Sequence, residues 1–294
     1  MFSSLRGRLF QMLSGAPDGI PDWVEALQSG SDEGYFGPSS AVWTVHGGIP
    51  VLVAGMRALL LQTLHPGAMA GVHEWSRYRE DPLGRLGGTV RWVLTTSFGD
   101  RQQAEEACEF VGHLHSRVKG AYELGGQSVE YSAADPALLS WVHVAFTDSF
   151  LRCHQRWGGE IPGGADRYVN EWAAAGDLMG VANPPRSERE LNDQLAAFDS
   201  ELRSDQLVRD AVGFLHRPPL DRTTGLGYRI IFAGAVATMP AKYRRLLGVR
   251  RPWWPAVGAT RLLLWFVGRL LGRPSKSELY ARRRIAKLAA VADA

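Results

Sequence analysis

Residues 131–157 read YSAADPALLSWVHVAFTDSFLRCHQRW, and their reading decides the fold class. Asp135 followed by Pro136 is a helix start. The carboxylate accepts from free N–H groups of the first turn, and proline fits a position whose N–H has no partner. Leu139, His143, Phe146 and Phe150 then recur at helical spacing, so one face is apolar. Gly158-Gly159 supplies the stop, and the spacing predicts one long helix to about Trp157.

The same punctuation recurs on either side. GMRALLLQTLHP (55–66) is helical up to Pro66, which stops or kinks the chain. Asp81-Pro82 opens a helix to about Thr96. Gly99-Asp100 closes that helix, and Arg101 to Tyr122 reads as one long helix ending at Gly125-Gly126. A weak helix is expected from Leu5 to Leu13, and short ones near Trp23 to Leu27 and Ala68 to Tyr78. Later helices fall near 166–179, 188–203, 206–215, 227–239, 240–247, 255–271 and 275–291. Alternating strand patterns are nearly absent. The expectation is an all-α fold in a single large helical domain. Residues 1–40 form an N-terminal extension, 41–250 the body, and 251–294 C-terminal helices packed on it.

The chain's 294 residues suffice for one large core. Basic and acidic residues number 33 and 30, too balanced to point to nucleic acid. Two cysteines, Cys108 and Cys153, make no disulfide framework and suit a reducing compartment. The first residues do not read as a secretory leader, so a cytoplasmic location is expected. No apolar run approaches the roughly 20 residues of a membrane span. A peripheral membrane contact through Trp253, Trp254, Trp265 and the Arg-rich tail is open, but a C-terminal helix packed on the body is favoured.

Motif searches remove several enzyme classes. There is no E-x-x-H pair for a di-iron bundle, no HExxH, no Walker A loop, no GxSxG elbow and no CxxCH for covalent haem. What remains is a set of inward polar groups. His115 falls in the apolar stripe Cys108, Val111, Val118 and Tyr122, whereas His113 points elsewhere, beside Glu109 and Arg117. A buried imidazole is either a hydrogen-bonded core residue or a ligand, and spacing alone leaves both open. His143 lies on the inward stripe of its helix, and His154 lies at that helix's wetter end. His65 is read as a cap on helix-terminal carbonyls, and His46 and His73 sit in or near turns. Arg85 and Thr89, four apart, share a face that needs an anionic partner or else a surface salt bridge.

Taken in order, YFGPSSAVWTVHG (35–47), GMRALLLQTLHPGAMAGV (55–72), EDPLGRLGGTVRWV (80–93), SFGD (97–100), HSRVKG (115–120) and YSAADPALLSWVHVAFTDSFL (131–151) resemble the rubber oxygenase (latex clearing protein)/MpaB family. The resemblance runs from about Tyr35 to at least Lys242. It implies a globin-like helical core holding non-covalent haem b. It places the iron ligand at His115, in the His followed by V-x-G, with Val111 and Val118 beside the cofactor. Rubber oxygenases of this family carry Arg-x-x-Lys-Thr on the distal side. Here Arg85 and Thr89 match, but Gly88 replaces the lysine that can cap the iron. His143 corresponds to a pocket histidine. The resemblance thus implies a haem-dependent oxygenase. Arg85, Thr89 and His143 serve the chemistry, dioxygen or peroxide is the oxidant, and an apolar, unsaturated small molecule is the substrate. A non-catalytic haem sensor or carrier, and a cofactor-free helical protein, are the alternatives.

Overall fold

The computed structural model describes residues 20–76, 79–80, 82–220 and 222–293, with the side chains of 82–86 and 222–223 outside that description. The expected helix at Leu5–Leu13 and the Asp81 cap lie outside the described residues. Within them the chain is helical apart from one β-hairpin. In order come α1 (Asp22–Glu25), α2 (Ala41–His46), α3 (Val51–Gln62), α4 (Pro66–Trp75), α5 (Pro82–Phe98) and α6 (Arg101–His115). The hairpin follows, β1 (Lys119–Leu124) and β2 (Gln127–Ser132). Then come α7 (Pro136–Trp157), α8 (Gly164–Leu178), α9 (Glu188–Ala197), α10 (Gln206–His216), α11 (Arg222–Ala237), α12 (Ala241–Leu246), α13 (Pro255–Leu271) and α14 (Lys276–Ala292).

The helix starts are set by local chemistry. Asp135 accepts from the Ala137 N–H at 2.8 Å with Pro136 in the first turn. Asp100 and Gln103 cap α6 reciprocally, at 2.9 and 3.1 Å. Ser187, Asp205 and Ser275 cap α9, α10 and α14. A helix was not expected at α2, where Ser40 caps the run AVWTVH by accepting from the Trp43 N–H.

The core is a seam between α3 and α7. Val53, Ala54, Leu60 and Leu61 meet Trp141, Val144, Ala145 and Leu151, all essentially inaccessible. Each such leucine contributes about 1.5–3 kcal/mol of burial. Helices α2, α8 and α11 wrap this seam, α13 packs on α11, and α14 closes over the segment around Leu27. From α14 the buried Arg284 donates to the carbonyls of Leu27, Asp32 and Phe98, so residues 20–40 are tied to the end of the chain.

One expectation fails in a definite way. The helix predicted from Arg101 to Tyr122 ends at His115, and the chain turns into the hairpin. Gly125 and Gly126 do not terminate a helix. They are a two-residue turn with φ of 59° and 82°, closing the Leu124–Gln127 pair. Both positions need left-handed backbone, which is the type I′ requirement. Val118 and Tyr122 therefore do not continue the α6 stripe.

Candidate active site

A cavity of about 1140 Å³ lies among α4, α5, α6, α7 and α8, larger than the roughly 300–1,000 Å³ of most ligand pockets. Its lining is mostly apolar. Leu138, Val142 and Phe146 come from α7, Phe110, Val111 and Leu114 from α6, and Val72 and Trp75 from α4. An aromatic wall backs it. Trp92 lies edge-on to Phe146 at 6.0 Å, and Phe146 stacks on Trp172 at 5.7 Å. Phe110, Leu114 and Trp75 are exposed, so the cavity has a greasy rim.

His115 reaches this cavity from the last turn of α6. Its ring is half-buried, with Nδ1 shielded from solvent. His113 is exposed and meets the Arg117 guanidinium at 2.9 Å, so the two histidines divide as their spacing predicts. The turn after His115 is clamped. Val118 donates to the His115 carbonyl at 3.1 Å and accepts from Ala133 at 2.9 Å. A side chain at Gly120 would come within 2.8 Å of the Tyr131 hydroxyl, which itself donates to Glu74 at 2.6 Å. The close approach of three elements thus explains the glycine of HSRVKG. Val111 and Val118 both line the cavity, Val111 from the helix and Val118 from the turn.

His143 lines the cavity from α7 and is buried. Burial pushes its pKa down to about 4, so it is neutral at pH 7. Its Nε2 is buried with no hydrogen-bond partner among the described residues, and the same holds for Trp172 Nε1. Buried polar atoms are rarely left so. Thr89 and Gly88 line the cavity from α5. Arg85 is one turn earlier on that helix, and its side chain lies outside the described residues.

His46 ends α2 just before the turn at 47–50, as expected, and its ring enters the core between Ser97 Oγ at 2.7 Å and Tyr168 Oη at 3.0 Å. His154 is buried rather than at a wet helix end, its ring packed against the backbone at Gly158 and Gly48. His65 does not cap α3. Pro66 starts α4 at once, and the ring turns to Glu201 at 3.3 Å. Spacing also missed the exposed pair Phe110 and Leu114, four apart on α6, and the aromatic wall. Only Phe110 and Leu114 carried a usable signal, as a second apolar stripe one residue round from the first.

The family described as ER-bound oxygenase mpaB/B'/Rubber oxygenase, catalytic domain, matches residues 43–272, more than three quarters of the chain. The chain belongs to the mpaB/rubber oxygenase family. No curated protein and no solved structure matches it. The matched span holds every element that builds the cavity from α4 to α8. Membership in an oxygenase family implies dioxygen and a substrate as partners. No group of three or more His, Cys, Asp or Glu able to hold a metal occurs among the described residues.

Proposed function

We propose that this mpaB/rubber oxygenase family protein is a haem b-dependent oxygenase acting on an apolar, unsaturated small molecule, with His115 as the protein ligand to iron. The observation that carries the reading is His115 at the wall of a large apolar cavity that also holds Thr89 and His143.

The residues suit the group. A lone histidine is a poor site for a free metal ion, but it suits iron whose equatorial ligands are porphyrin nitrogens. The mostly apolar walls suit the macrocycle, and Thr89, His115 and His143 are polar residues among them. Bound haem supplies iron able to activate dioxygen, which is the cofactor's own chemistry.

The chain supplies the rest. The α6 end and the clamped turn fix the main chain at His115, which carries its side chain to the cavity wall. His143, held neutral by burial, can accept or donate a hydrogen bond without placing a charge in the cavity. The Thr89 hydroxyl stands on the α5 wall beside Gly88, where a fixed donor stabilises developing negative charge better than water does. Arg85, one helical turn from Thr89, is assigned to an anionic group, a haem propionate or a reduced oxygen species. The apolar rim at Phe110, Leu114 and Trp75 suits the entry of an apolar substrate.

The test is haemin titration of the purified chain, followed by oxygen uptake with an apolar alkene. The wild type is expected to give a Soret band at one haem per chain and to consume oxygen with the alkene. His115→Ala is expected to lose stable haem while keeping its far-UV helicity. Equal haem occupancy in that variant removes the ligand assignment. Haem binding without alkene-dependent oxygen uptake favours the non-catalytic carrier.

A further inference from the structure

The segment 222–277 contains eleven Lys and Arg residues and no Asp or Glu. It carries α11, α12 and α13, and its outer face is strongly apolar. Helix α13 buries one stripe, Thr260, Leu264 and Val267, against the body. Its opposite stripe presents Leu262 and Trp265, 66% and 62% exposed, with Phe266 beside them. Arg261 and Arg269 flank these on the same outward face. Just before the helix, Trp253 and Trp254 stand 82% and 83% exposed, next to exposed Arg250 and Arg251. Leu226, also exposed, precedes the Gly227 that meets Leu263, so α11 adds to the same surface.

Packing of α13 on the body therefore accounts for one side of the helix only. Tryptophan and leucine between arginines, in a stretch of chain without Asp or Glu, match a surface that is apolar inside and negative outside. We propose that the outer face of α13, with the Trp253-Trp254 turn, docks on an anionic phospholipid bilayer. Indole rings sit at the headgroup boundary, where their apolar bodies and N–H groups both find partners. The arginines meet lipid phosphates. No helix among the described residues is long and apolar enough to cross a membrane, so α13 lies in the interface plane. The Trp157 indole donates to the Val257 carbonyl, which ties this face to the C-terminal end of α7. The cavity is built on the N-terminal part of the same helix, from Leu138 to Phe146. The docking face and the cavity are thus separate surfaces, roughly 20–30 Å apart along α7.

The experiment is flotation of the full chain with vesicles of phosphatidylcholine alone or mixed equally with phosphatidylglycerol. The wild type is expected to float with the anionic vesicles, weakly with the neutral ones, and less as salt rises. Arg261→Glu with Arg269→Glu lowers anionic binding by roughly tenfold or more. Trp253→Ala with Trp254→Ala and Trp265→Ala lowers it on both vesicle types. Both variants carry only exposed changes, and unchanged far-UV helicity and thermal melting verify the fold. No wild-type flotation with anionic vesicles overturns the proposal, as does equal binding by both variants. Concentration-dependent dimers that vanish in the Trp variant, without vesicle binding, assign the face to a second copy of the chain and overturn it equally.

Discussion

Position 88 is where this chain parts from the Arg-x-x-Lys-Thr pattern of the rubber oxygenases it resembles. Gly88 lines the cavity from α5, and a side chain started there meets nothing within 4 Å. Gly88→Lys is expected to fold, and to gain roughly 0.5–1 kcal/mol from better helix propensity. Loaded with haem, the variant is expected to show a six-coordinate low-spin spectrum and to lose most oxygen uptake. A spectrum identical to the wild type would mean that α5 does not face the iron. At this scale much was legible. Helical spacing separated His115 from His113 and placed His143 inward, because both depend only on the period of a helix. His154 was misread because its burial depends on the packing of its ring against the Gly48 and Gly158 backbone, and spacing said nothing of the His46 ring because its partners Ser97 and Tyr168 lie far along the chain.

Between elements, the α3–α7 seam contains a buried ion pair. Arg57 is fully buried and pairs with Asp148 at 2.7 Å, while donating to Ser149 at 2.9 Å. Asp148 also accepts from Arg152 at 3.0 Å, and Arg152 continues to Glu188 on α9. Breaking such a pair from one side leaves a buried charge uncompensated. Asp148→Asn is expected to cost about 3–5 kcal/mol in urea unfolding, against less than about half of that for the peripheral Glu188→Gln. Equal losses would deny the pair its place in the core. The boundaries of α7 and α13 were readable because Asp-Pro, Gly-Gly and Trp-Pro mark them locally. The hairpin was not. Its strands turn Gly120, Tyr122, Val129 and Tyr131 inward, but they are six residues long and one inward position is a glycine, so the alternation that betrays a strand is short, and the Gly-Gly pair was taken for a helix stop.

Over the whole molecule, buried neutral histidines set the response to acid. Burial, and secondarily His154, pushes His46 down to about 3, and burial pushes His143 down to about 4. Both lie below the ordinary 6.5, so the unfolded chain takes up protons first as pH falls. Their contribution is complete above about pH 6.5 and is lost progressively toward pH 4 and below, at up to about 1.4 kcal/mol per unit per histidine. His143→Leu is expected to flatten the dependence of urea unfolding free energy on pH between 6.5 and 4.5. An unchanged slope would mean that His143 titrates normally. The central claim is that the ring at 115 is a metal ligand, and replacing it from outside tests this most directly. His115→Gly, loaded with haem in the presence of imidazole, is expected to recover the wild-type Soret spectrum and alkene-dependent oxygen uptake, and to lose both when imidazole is dialysed away. A His115→Gly protein that holds haem with the wild-type spectrum in the absence of imidazole would contradict the account.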